Sequence, residues 1–157
     1  MSIYTVGYEG LDIGSFVARL KQVGVKTIVD VRQLPLSRKR GFSKKSFSQA
    51  LALADIAYVH MPTLGCPKAI RDAYKQDPDW RKYSESFLAY LQMQEAAVRE
   101  LAKISRATTS CLVCFEADFN FCHRTYVARA TRRFGATTVQ HITAQTVVAD
   151  SPLRLAA

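Results

Sequence analysis

No apolar run in the 157 residues approaches the roughly 18 that a membrane-spanning helix requires. The opening residues 1–7 lack the basic segment and long apolar stretch of a secretory signal, so the expected location is cytoplasmic. Acids are scarce. Against 22 Lys and Arg there are only 13 Asp and Glu, a formal charge of +9. That imbalance concerns partners rather than fold, and it favours phosphate-bearing ligands, nucleic acid first. A solubilising basic surface accounts for it equally well. Cysteine is sparse too, with four residues: Cys66, Cys111, Cys114 and Cys122. In a reducing compartment, and with 48% hydrophobic residues to build a core, no disulfide staple is needed. Free thiols are expected. Repeats, linkers and low-complexity tracts are missing as well, which argues for one domain over residues 1–150 and a weakly patterned tail over 151–157.

What is present alternates between strand and helix patterns. Residues 3–8 are β-rich, and Ile13, Phe16, Val17, Leu20 and Val23 then recur at helical spacing behind Asp12, a suitable N-cap. Residues 27–31 are nearly all apolar, as in a strand covered on both faces. Phe47, Leu51 and Ala54 mark a second helix capped by Ser43, and residues 57–61 form a third strand that Pro62 ends. A short helix carries Ile70, Ala73 and Tyr74. One long amphipathic helix is expected over 83–104, on Phe87, Leu91, Val98 and Leu101. Residues 110–115 and 137–142 supply the fourth and fifth strands, with a helix over 126–134 between them. This order predicts a single α/β domain, a mainly parallel sheet of about five strands with helices on both faces.

Ligands bind such sheets beyond the carboxyl ends of the strands. Polar residues fall there four times: Tyr8 and Glu9, Asp30 and Arg32, the bare-backbone turn at Leu64 and Gly65, and Glu116 with His123 and Arg124. Residues 114–124 read as a strand end, a loop and a helix start. Cys114 and Glu116 share a strand face, while His123 precedes Val127 by four residues and so points to the buried side. Unpaired N–H groups at that helix start attract anions. Arg124 and Arg32 suit bidentate phosphate binding. Glu116 or His123 is placed to move a proton, and Asp30 to orient a partner or hold a proton itself. The plain alternative is a buried network in which Glu116 and Asp30 neutralise the two arginines.

Cys122, at a helix start beside His123 and Arg124, should favour its thiolate and suit a nucleophilic or redox role. Cys66 and Cys111 read as buried filler. Zinc is a minority reading. Cys111 and Cys114 fall on opposite strand faces, and adjacent Cys122 and His123 would point apart on a helix. No metal site and no organic cofactor is expected. The basic segment Arg38-Lys39-Arg40 with Phe42, and Arg129, Arg132 and Arg133, suit contact with a nucleic-acid backbone, although a solvated face is the ordinary explanation. Tyr58 and Trp80 read as core.

Thr5-Val-Gly-Tyr-Glu-Gly10, Asp30-Val-Arg32 with Pro35 and Ser37, Gly41-Phe-Ser43, Leu64-Gly65, Cys114-Phe-Glu116, Cys122-His-Arg124 and His141-Ile142 resemble motifs of the DUF488 family, named for its unknown function. The resemblance spans most of the chain. It implies an α/β fold with one shared site and supplies no substrate. The expected anion-binding set is Arg32, Arg124, Tyr8, Glu9, Ser37, Lys39 and Gly65; the expected catalytic set is Glu116, His123, Asp30 and Cys122. The leading expectation is an enzyme acting on a nucleotide or nucleic acid by hydrolysis or group transfer. The alternatives are a non-catalytic basic nucleic-acid or nucleotide-binding module and a redox-sensing protein built on Cys122.

Overall fold

The apolar segments form strands β1 (Ser2–Gly7), β2 (Thr27–Asp30), β3 (Ala57–His60), β4 (Ser110–Cys114), β5 (Thr138–Ile142) and β6 (Val147–Ala149). A computed structural model describes residues 2–135 and 138–151, so position 137 of the expected fifth strand and most of the tail lie outside the described residues. The six strands make one sheet in the order β3-β2-β4-β1-β5-β6. The first five run parallel, and β6 returns antiparallel on β5. The helices between them are α1 (Ile13–Val23), α2 (Lys44–Leu53), α3 (Lys68–Gln76), α4 (Trp80–Gln92), α5 (Glu95–Ala107) and α6 (His123–Ala130).

Strand side chains alternate between faces, so the sheet feeds two cores. From β4, Cys111 and Val113 join Phe16 and Leu20 of α1 and Phe47 and Leu51 of α2 on one side. Leu112 joins Phe87 of α4, Leu101 of α5 and Val127 of α6 on the other. Both faces of the sheet are thus covered, as the apolar run in β2 requires. The domain is a single α/β unit.

Four elements differ from what the sequence predicts. The helix expected over 126–134 runs His123–Ala130 and tightens into a 3-10 turn over Thr131–Phe134. The sheet has six strands rather than five, because the residues after β5 turn back as a hairpin in which Thr143 and Thr146 bond to each other. The long helix over 83–104 is two helices, α4 and α5, separated at Met93 and Gln94. No Pro or Gly breaks it. The apolar stripe lapses between Leu91 and Val98, where Gln92, Gln94 and Glu95 offer nothing to bury, so the chain can bend there at little cost. Finally, Asp12 caps α1 through the Ser15 N–H as expected, but Ser43 makes no side-chain cap on α2. Its hydroxyl donates to the Ser37 carbonyl instead and accepts the Ser37 N–H. No helix among the described residues is long and apolar enough to cross a membrane.

Candidate active site

The carboxyl ends of β1, β2 and β4 open into a cleft of about 370 Å³. Its construction begins with two close backbone approaches. The Glu116 carbonyl packs against Gly7 at the end of β1, where a Cβ would stand 1.7 Å from that oxygen. At Gly65 a Cβ would stand 2.2 Å from the Gln33 nitrogen. Only glycine fits either place, so the loop after β4 and the turn before α3 can close on the strand ends.

Arg32 and Asp30 form the next layer. The guanidinium spans both Asp30 oxygens through Nε and Nη2, at 2.9 and 2.7 Å, and Nη1 donates to the Tyr8 hydroxyl and the Phe42 carbonyl. Asp30 is fully buried and also accepts from the Tyr58 hydroxyl at 2.6 Å. Burial works against the Arg32 charge, but the bonds to Asp30 outweigh it and hold the guanidinium protonated. Arg32 and Tyr8 line the cleft; Asp30 does not reach it and acts by holding Arg32. Tyr58 is half-buried over this pair and packs on the first core.

At the bottom lie Cys114, Cys122 and His123, each less than a tenth exposed. His123 Nε2 sits 2.7 Å from the Val31 carbonyl, which can only accept, so Nε2 carries the proton and Nδ1 keeps its lone pair. Burial lowers the imidazole to about 4, and the ring is neutral near pH 7. Its Nδ1 lies 3.9 Å from Cys122 Sγ. A helical spacing alone would point these neighbours apart. They converge because Cys122 is the N-cap of α6, with extended backbone at φ −142° and ψ 137°, and helical splay begins only after it. Cys66 and Cys111 are buried free thiols as expected, whereas Cys114 and Cys122 bring their sulfurs into contact, with Cα atoms 7.8 Å apart. The expectation of four separate thiols therefore fails for this pair: β4 and the N-cap of α6 aim both side chains at one point.

Glu116 opens into the cleft, and its Oε2 lies 3.1 Å from Cys114 Sγ and 3.4 Å from Cys122 Sγ. Partial burial raises its carboxyl above the usual range, against the opposing pull of its own backbone N–H and of Arg124. Arg124 itself is wholly buried behind the cleft wall. It donates to the Glu116 and Ala117 carbonyls and to Cys114 Sγ at 3.4 Å, and its Nε has no partner. Burial lowers it to about 10. It clamps the loop and does not line the cleft.

The rest of the expected anion-binding set braces backbone. Glu9 accepts the Ala117 N–H, Lys39 donates to the Tyr8 carbonyl at 3.0 Å, and Ser37 accepts the Lys39 N–H. The Gly65 N–H is taken by the Pro62 carbonyl. None of these four lines the cleft. Two cations outside the expected set do: Arg71 and Lys75, four residues apart on one face of α3. Arg71 is tied to the Cys66 carbonyl and to Gln33 Oε1. That i,i+4 pair was legible, but nothing in the sequence tied α3 to the strand ends. The outer walls are aromatic. Trp80 stacks on Tyr83 at 4.6 Å and meets Phe121 edge-on, while Tyr74 and Phe115 complete the lining. Trp80, expected in the core, is half-buried in this wall.

Of the other basic residues, Arg38 and Arg40 are exposed, while Arg129 and Arg132 are paired with Asp150. The family model described as a domain of unknown function, DUF488, matches residues 12–131. That match contains the second to sixth motifs singled out above and leaves the first and last on its flanks. No curated protein and no solved structure matches the chain.

Proposed function

We propose that this chain, which belongs to the DUF488 family, is a cytoplasmic enzyme acting on a nucleotide or a nucleic-acid end. The reaction is hydrolysis or group transfer, with Glu116 as the proton carrier. One observation carries the reading: a single cleft holds Arg32, Arg71 and Lys75, an aromatic wall, and a carboxyl group beside two sulfurs and a neutral imidazole. Guanidinium and ammonium groups suit phosphate, and an aromatic wall suits a base, because every base has a π-face. Glu116 is the only acid among the described residues of the lining, and burial raises its carboxyl above the usual range, which favours a group that takes up and returns a proton. His123 Nδ1 is available to accept a proton or to orient the nearby sulfur. The test is binding followed by turnover with a panel of nucleoside phosphates. Trp80→Ala should weaken binding by about 1–3 kcal/mol. Glu116→Gln should leave affinity intact and abolish turnover. Equal turnover in Glu116→Gln, or no binding by any nucleotide, overturns the reading.

The contact between Cys114 and Cys122 supports a second reading, a redox sensor in which the two thiols are oxidised to a disulfide. It requires that Cys122→Ser lose a response to oxidant, which the first reading does not.

A further inference from the structure

We infer that Cys114, Cys122 and His123 bind a divalent cation of the zinc class, with the remaining coordination position open to the cleft beside Glu116. Two cysteine sulfurs and a ring nitrogen lie within 4.8 Å of one another. To share one ion at bond lengths of about 2.0–2.3 Å, the two sulfurs, now in contact, would draw apart while the ring nitrogen closes in, which side-chain rotations can supply. The Cα separation of 7.8 Å exceeds the roughly 4.4–6.8 Å that a relaxed disulfide spans, so the two side chains suit a shared ion better than a bond to each other.

The surroundings are those of a ligand set. An imidazole that binds metal almost always donates its other N–H to a fixed acceptor, which sets the tautomer and the ring orientation. His123 does this through Nε2 to the Val31 carbonyl, leaving Nδ1 turned toward the sulfurs. Cys114 has its own outer partner, the Arg124 guanidinium at 3.4 Å, a donor well suited to a thiolate. Both supports are buried and come from different elements.

Three protein ligands with one place left over is the pattern of catalytic rather than structural zinc. Glu116 stands at that place without being needed as a ligand. Two thiolates, an imidazole and a free carboxylate are also the groups with which zinc deaminases activate water. In the hydrolytic branch, a water on the ion would give its proton to Glu116 and its hydroxide would add to the electrophilic carbon or phosphorus. The bond to the leaving group would then break, and Glu116 would return the proton to that group, so that one water is consumed. This catalytic role rests on the proposed activity. Binding of the ion does not.

The test is a titration of the reduced, metal-free full chain with Co²⁺, in a phosphine reductant and without substrate. The expected result is uptake of about one ion per chain, with intense thiolate-to-cobalt absorption that Zn²⁺ abolishes. Cys114→Ser and Cys122→Ser should each lose most of that absorption and bind more weakly than the roughly 10–100-fold loss typical of removing an outer partner. Glu116→Gln and Cys111→Ala should keep it. Circular dichroism checks that the serine variants fold. Should either not fold, protection of Cys114 and Cys122 in the unaltered protein against iodoacetamide by added Zn²⁺ decides the question instead. The inference is overturned if reduced protein shows no thiolate absorption with Co²⁺, if the double serine variant binds equally well, or if Zn²⁺ leaves labelling unchanged. Nucleotide binding is measured separately, so either idea can fail while the other stands.

Discussion

The two ends of α6 treat buried charge in opposite ways. At its carboxyl end, Arg129 spans both oxygens of Asp150 at 2.8 Å, and Arg132 adds a further contact. Asp150 also accepts from His141 Nε2, which leaves Nδ1 to accept the Thr5 hydroxyl at 2.7 Å. The side chains of Asp150, His141 and Thr5 are wholly buried, and no described side-chain atom of this network is a buried donor or acceptor without a partner. At the amino end, Arg124 is just as deeply buried, yet no carboxylate among the described residues makes an ion pair with it, and its Nε is unpaired. A satisfied network holds strands and helix together and has nothing left over for a ligand. An unsatisfied one stores polarity next to the place where a ligand would go. The first end is architecture; the second is where chemistry is expected.

Removing Asp150 should break this contrast most severely. Asp150→Ala leaves Arg129 and His141 unpaired inside the protein, and losing one member of a buried ion pair costs about 3–5 kcal/mol. The unfolding midpoint in urea should fall accordingly. A loss below about 1 kcal/mol would place this network with exposed pairs such as Lys68–Asp72, and the distinction between the two ends would not hold.

Acid should attack the same end next. Burial alone would raise the Asp150 carboxyl, but the bonds from Arg129 and His141 outweigh it and hold it at about 2, below the ordinary 3.8. A depressed carboxyl contributes stability that is complete above pH 3.8 and is lost as the pH falls toward 2. The contribution is on the order of 2 kcal/mol. Denaturant titrations across that window should show a larger loss in the parent than in Asp150→Ala, because other lowered carboxyls such as Asp12 and Asp72 titrate in both. Parallel pH profiles for the two proteins would refute the assignment.

How much of this could be read in the chain follows the same division. Most strands and helices were legible because β2 and β4 are mainly apolar and α1 repeats at helical spacing, and these signals are local. The convergence of Cys114, Glu116 and His123 was legible too, since all three flank one strand-to-helix crossing. What escaped was tertiary. Nothing local distinguishes the guanidinium of Arg124, turned inward to hold carbonyls, from one free to bind phosphate. Lys39, Ser37 and Glu9 likewise belong to the right strand ends but spend their polar groups on backbone. Arg71, Lys75 and Trp80 reach the cleft only because α3 and α4 fold over it. The facing of Cys122 and His123 depended on Cys122 being the extended N-cap of α6 rather than a helical residue.

The smallest effect on folding should come from the amino end of α6. Arg124→Met keeps most of the side-chain volume, removes a buried cation that has no carboxylate partner, and leaves the Glu116 and Ala117 carbonyls without their donor. The first change relieves a desolvation cost, as when buried ionic groups are replaced by apolar ones of similar volume. The second costs about 1–3 kcal/mol if the carbonyls stay unsatisfied, though their position near the cleft lets water reach them. The two nearly cancel, and a net loss of about 1 kcal/mol is expected, well below that of Asp150→Ala. The same variant should loosen the loop that carries Glu116, which amide hydrogen exchange at residues 116–118 would register as faster exchange than in the parent. If Arg124→Met instead costs as much as Asp150→Ala while exchange in that loop is unchanged, the guanidinium is an architectural group like Arg129, and the two ends of the helix do not differ in kind.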